Sequence, residues 1–330
     1  MKNSGIGGQA VLEGIMMRSR SAQAVAVRKS DGTIQVKKEE LNTPRWMKKV
    51  RKIPIVRGCC SFFISMIDGV KAINDSADMI DDDDEDSGKS RDKDTPGEAG
   101  RKKSGKDSDI GAGMIFTVLI SLAIAILLFT VLPFRLSRLF SGVISSVSAL
   151  NIIEGVIRLL IFVGYLWGIS LARDIRRTYM YHGAEHKCIN CLETGHELTV
   201  ENVMASSRFH RRCSTSFLFV VVFISVILFI FIRSGSPGVQ LLFRILLIPV
   251  ISGISYEMLM YAGSHDNRLA RVMSSPGLLM QRLTTKEPDS GMVEVAIQAV
   301  EAVFDWRAYL ENESADDKCE NSRETGSREA

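Results

Sequence analysis

The chain is sparing with the residues that usually advertise a function. Histidine occurs five times and cysteine six times in 330 residues. A net charge of +3 is nearly balanced and says little about nucleic acid, and no nucleic-acid partner is expected. No internal repeat is visible, which weakens a transporter reading. Residues 1–52 hold no apolar core of signal-peptide type, so the first long apolar run is expected to serve as the insertion signal. No βαβ pattern surrounds the paired cysteines Cys188 and Cys191, which removes the setting of a thioredoxin-like redox motif.

Long apolar runs, by contrast, are plentiful. Four segments approach the ~20 residues that cross a bilayer, at about 111–133, 151–172, 216–232 and 239–263. Glu154 and Arg158 in the second, and Arg244 and Glu257 in the fourth, must face protein or water rather than lipid. Lys and Arg gather before the first run, between the second and third, and after the fourth. The other two connections offer only Arg135 and Arg138, and Arg233. Such asymmetry predicts four spans with both termini cytoplasmic, in a multi-pass protein of the plasma membrane. The fold expected is mainly α: a four-span helical bundle with a small N-terminal β unit and a cytoplasmic His-bearing loop, 173–215.

Around this membrane domain, 111–265, the chain divides by composition. Residues 1–57 form a cytoplasmic segment in which 23–37 alternate apolar and polar side chains around Asp31-Gly32, a hairpin signal. Residues 58–80 place Cys59, Phe62, Phe63, Met66, Ile67 and Val70 on one helical face, giving an interfacial helix or one packed on the bundle. Residues 81–110 are charged and nearly free of large apolar side chains, and are expected to be a disordered linker. In 266–310, Met292, Val295, Ala296, Ala299, Val300 and Val303 recur at helical spacing after Pro288. Residues 311–330 read as a disordered polar tail.

Candidate chemistry concentrates in YMYHGAEHKCINC, Tyr179 to Cys191. On a helix, His182 and His186 share a face at a separation one metal ion can bridge, with Glu185 about 60° away. H-x-x-E-H is the inverted zincin pattern, in which histidines bind zinc and the glutamate polarises water. The alternative is a polar juxtamembrane helix whose histidines only hydrogen-bond. Cys188 and Cys191 project from nearly the opposite side and read as packing residues. Further ligands can reach the same membrane surface: His210 and Cys213 at the far end of the loop, and Glu257 near the end of the fourth span. A partner for an arginine such as Arg211 is the other role open to Glu257. Glu154 and Arg158, four apart, are expected to pair internally, with Arg244 at similar depth.

The chain resembles the YqhQ-like family of bacterial membrane proteins, a domain of unknown function described as predicted metal-dependent enzymes. The resemblance rests on GGQAVLEGIMMR (7–18), YHGAEHK (181–187), ELTVENV (197–203), RFHRRCSTSF (208–217), GISYE (253–257) and PGLLMQRLTTKEPD (276–289). It implies a bacterial inner-membrane location and brings in Gln9, Glu13 and Arg18 as further site candidates. Two functions follow. One is a membrane-embedded hydrolase with a divalent metal, zinc above others, held by His182 and His186 with His210, Cys213 or Glu257, and with Glu185 as general base. The other is a closed structural zinc in a scaffold, assembly or insertion factor, with Glu185 orienting a histidine. The expected partners are the lipid bilayer, with other membrane proteins or a second copy of the chain as further candidates.

Overall fold

The N-terminal β unit is twice the size of a hairpin. In the computed structural model, which describes residues 4–41, 53–87, 112–232 and 236–312, four antiparallel strands follow one another in order: β1 (Gly7–Val11), β2 (Gly14–Arg18), β3 (Ala22–Arg28) and β4 (Ile34–Glu40). The expected β3–β4 hairpin closes with Arg28 opposite Ile34. Its turn is held by the Asp31 carboxylate, which accepts from the Thr33 N–H at 2.8 Å, while Gly32 takes a left-handed φ of 85°. Two residues, Leu12 and Glu13, join β1 to β2.

The sheet is covered on both faces. Ile15, Met17, Ala22, Ala24 and Ala26 pack on the helices Arg173–Glu193 and Ser290–Val303, and the alternate residues Val11, Met16, Val25 and Val27 pack on Ala72 and Met79 of α1 (Val56–Ser87). Both parities of β3 are therefore buried, and only β4 turns a polar edge outward. Helix α1 also lies along the last apolar helix, so it packs on the bundle as well as the sheet. It continues to Ser87, seven residues into the stretch expected to be disordered from 81. Once an apolar face has nucleated a helix, adding acidic residues at its end costs little. The rest of that linker, 88–110, and the tail from 313 lie outside the described residues.

Three helices are long and apolar enough to cross a membrane, at 115–142, 147–169 and 237–264. The first combines α2 (Ala112–Ile126), a π turn (Leu127–Val131), α3 (Leu132–Arg138) and a 3₁₀ turn. It runs past Pro133, where an end was expected. Proline strips the bond to the carbonyl four residues back, Phe129, and the Nε of Arg158 donates to that carbonyl at 2.7 Å. The second and third are α4 (Val147–Ile169) and α8 (Pro237–Ser264). Between them stands α7 (Ser214–Ile230), apolar but only about 25 Å long at 1.5 Å per residue. Buried among these helices, Glu154 pairs with Arg158 at 2.6 Å and Arg244 at 2.7 Å.

The segment 173–215 is largely helical rather than a loop. It forms α5 (Arg173–Glu193) and α6 (Val200–Ala205) before reaching α7. After α8 come α9 (Arg268–Thr284) and α10 (Ser290–Val303), the latter burying all six residues marked out by spacing. With the sheet and α5, α10 closes a core containing Tyr181, Ile189, Leu192, Val293 and Val300. This α/β layer sits where α4 ends, α7 begins and α8 ends.

Candidate metal centre

Helix α5 carries polar side chains along most of its buried length, and each is matched by the segment that follows it. The Lys187 ammonium donates to the carbonyls of Met204 and Ser206 at 2.8 and 2.9 Å. One turn on, the Asn190 amide donates to Ser207 and Phe209. Gln281 of α9 then holds His210 through both its N–H and its C=O, at 2.9 and 2.7 Å. Residues 204–210 are thereby stapled along α5, and Cys213 arrives at the N-cap of α7 with its sulfur accepting from the Thr215 N–H.

There it meets the two histidines. One ligand atom each from His182, His186 and Cys213 lie within 4.8 Å of one another, and Cys213 Sγ is 3.2 Å from His182 Nε2. The two Nδ1 atoms face backbone carbonyls, Thr284 at 2.9 Å for His182 and Arg208 at 2.7 Å for His186. A carbonyl can only accept, so each Nδ1 carries a proton, and Nε2 is the nitrogen each ring has left for a metal or, without one, for a proton shared with Cys213. Burial opposes ionisation of Cys213, but the His182 and His186 imidazoles hold its thiol well below the usual range. Burial likewise works against protonation of His182, yet the Cys213 sulfur and the Glu185 carboxylate lift it to about 9. Two imidazole nitrogens and a thiolate are a donor set suited to a borderline-soft ion such as zinc.

Glu185 is buried beside them, one carboxylate oxygen 3.9 Å from His182 Nε2. Strand β1 crosses above it so closely that a Cβ on Gly8 would lie 2.9 Å from Glu185 Cγ. On the other side, Gly183 admits the backbone of Lys286, whose carbonyl a side chain there would strike. Residues 276–289 thus run against the back of the site, supplying Gln281, Thr284 and the Lys286 backbone, and Glu287 pairs with Lys187 and Arg208.

Comparison with known proteins gives the family. The family described as "Protein of unknown function (DUF1385)" matches residues 53–306. The chain belongs to that family. It is 33% identical over 306 residues to "Uncharacterized protein YqhQ" of Bacillus subtilis (strain 168), covering 92% of this chain and 94% of that one. No solved structure matches. The family's description names no activity, so the reading of the site rests on its geometry.

The remaining candidates separate. His210 lies near the trio, its ring centroid 5.7 Å from that of His186, but its Nε2 faces Glu193 at 3.5 Å. Glu193 also pairs with Arg212 and accepts from the Ser4 N–H. Burial would raise its carboxyl, but His210, Arg212 and Ser4 together bring it down to about 2. Glu257 is clamped by the guanidinium of Arg57, with 2.6 Å from Nε to Oε1, and stands apart from the cluster. It does pair with an arginine, though from α1, while Arg211 pairs with Asp266. Gln9 lines the cavity in front of the trio, and Arg18 lines a neighbouring cavity and pairs with Asp68. Glu13 lines neither of those two cavities and pairs with Arg177. Cys188 and Cys191 lie within the α/β core.

Spacing alone did not single out Glu193, Arg212 or Gln281. Glu193 follows Glu185, His186 and Asn190 at helical intervals, and a polar stripe on a helix that also carries Tyr181, Ile189 and Leu192 was the available signal.

Proposed function

We propose that this chain is a metal-dependent hydrolase, zinc being the ion that suits its donors, working at the cytoplasmic face of the plasma membrane. The observation that carries this reading is a three-ligand cluster open to a cavity. His182, His186 and Cys213 line a space of about 490 Å³ together with Glu185. A structural zinc takes four protein ligands, whereas a catalytic one keeps a position for water. His210, the natural fourth ligand, is engaged by Glu193.

In this reading a bound metal supplies a polarised water and a Lewis acid for the bond to be cut. His182 and His186 present Nε2 because Thr284 and Arg208 hold their Nδ1 protons, and the N-terminus of α7 favours the Cys213 thiolate. Glu185 receives the proton of the attacking water and returns it to the leaving group. Lys and Arg clustering in 173–215 and around the outer ends of the bundle supports a four-span topology, with α7 as the shortest span and both termini cytoplasmic.

The test compares two variants of the full chain. Glu185→Gln is expected to retain stoichiometric metal and normal abundance yet fail to complement a deletion strain. His186→Ala is expected to lose the metal. Complementation by Glu185→Gln would instead mark a structural zinc, and absence of metal from the wild type would remove both readings.

A further inference from the structure

The cavity in front of the trio is one half of a larger space. Behind β1 lies a second cavity of about 670 Å³, and the two share Gly7, Gly8 and Gln9 of β1 with Ser61 and Ser65 of α1. Their linings differ in character. Apart from the cluster itself, the first is walled mainly by Phe62, Met66, Val70, Phe217 and Leu259, with Arg212, paired with Glu193, as its one further charged side chain. The second carries three arginines, Arg18, Arg20 and Arg57, against one acid, Asp68. Arg18 is paired with Asp68 and Arg57 with Glu257, but Arg20 makes no ion pair among the described residues. Ser61 and Ser65, one helical turn apart, stand at the junction of the two halves.

The apolar half also reaches the outer surface of the bundle. Leu218 lines it while remaining 43% exposed on α7, and Ile73 of α1 lines it at 40% exposure. An apolar chain can therefore enter sideways from lipid, whereas a water-soluble ligand would leave these walls unmatched.

We infer that the joined cavities bind an amphiphile with an anionic head, a phospholipid-like molecule whose phosphate meets Arg20 and Arg18 and whose apolar chain lies along Phe62, Met66 and Phe217. Guanidinium groups suit phosphate oxygens through paired N–H donors, and the serine hydroxyls can donate to the linkage between head and chain. Glu185 lines the same cavity as those two serines. That this molecule is the substrate rests on the hydrolase reading; that it binds does not.

Dodecyl phosphate is the probe, titrated into the full chain in dodecyl maltoside and followed by phosphorus NMR, with bound metal measured on the same samples. Saturable binding is expected, with inorganic phosphate at least ~10-fold weaker. Arg20→Ala should weaken dodecyl phosphate roughly 10-fold, the usual value of one charge-assisted hydrogen bond. Arg20→Glu should abolish the preference over dodecyltrimethylammonium. Met66→Trp, which fills the apolar half, should weaken dodecyl phosphate and leave inorganic phosphate unchanged. Equal affinity for inorganic phosphate, displacement by the cationic amphiphile as effectively as by the anionic one, or indifference to Arg20 would each overturn the inference. A metal-free wild type that still binds dodecyl phosphate through Arg20 would end the hydrolase reading and leave this one standing. A metal-loaded chain without Arg20-dependent binding would do the reverse.

Discussion

Two sets of buried polar side chains lie in this molecule, one among the apolar helices and one at their end, and they are assembled on opposite plans. Among the helices, Glu154 stands between Arg158 and Arg244, and each guanidinium also lies over the ring of Phe229. Asn151 adds a carbonyl oxygen to Arg244 at 3.0 Å and spends its amide on Phe229 and Ile232. Opposite charges meet there, although Arg244 Nε and Nη1 find no hydrogen-bond partner among the described residues. At the end of the bundle, two imidazole nitrogens and the Cys213 sulfur converge beside a cavity, and once all three are deprotonated all three are acceptors. Such a convergence is electrostatically unfavourable until a cation or a proton enters it. Polarity that is closed on itself holds helices together, whereas polarity left convergent and open makes a site.

The largest expected effect tests the convergent set. Cys213→Ala should lower metal affinity more than ~100-fold, the most that loss of an outer hydrogen-bond partner costs, as read by competition with a chromophoric chelator. Next comes the closed set. Glu154→Ala leaves two buried arginines without their carboxylate and should lower stability by about 3–5 kcal/mol. Unfolding in detergent measures this, and metal content should not change. If metal were lost along with stability, the two sets would be one system and the contrast would fail.

A smaller effect concerns the border of the site. The Glu193 carboxyl is lowered from 4.5 to about 2, so its contribution is complete above pH 4.5 and disappears as pH falls toward 2. A shift of that size corresponds to roughly 3 kcal/mol, and Glu193→Gln should flatten the stability profile across that acid window. The smallest effect is reserved for the cysteines of the core. Cys188→Ala and Cys191→Ala should each cost about 1 kcal/mol through lost packing, with metal content unaltered. Loss of metal in either would return the CxxC pair to the site.

Much of this was legible in the residues, and the parts that were not share a cause. Asp31-Gly32 announced its hairpin because a two-sided turn signal needs no tertiary context. Met292 to Val303 announced α10 because its stripe is strictly periodic. His182 and His186 were readable as a pair, and helix geometry separated them from Cys188 and Cys191. Strands β1 and β2 escaped because a sheet covered on both faces shows no alternation, and glycines such as theirs suit close backbone approach and flexibility equally. Helix α9 escaped because Pro276 interrupts it. His210 and Glu257 were read as ligands from their placement alone, but Glu193 and Arg57 compete for them, and competition between distant residues leaves no trace in local spacing. Of the arginines of the second cavity, Arg18 came in through the family resemblance, whereas Arg20 and Arg57 were hidden, since only the fold brings Arg57 beside the other two.

The broken turn at Pro133 bears on how the protein is made. Alone in lipid, the α2–α3 segment would carry a bare carbonyl at Phe129, and α4, though it brings Glu154 to pair with Arg158, would leave the Arg158 Nε donor without an acceptor; each is costly in hydrocarbon. Together they cancel, through one 2.7 Å hydrogen bond. Neither segment is a finished transmembrane element by itself, so the first two are expected to leave the translocation machinery as a pair, with biogenesis waiting at the first until the second has been synthesised.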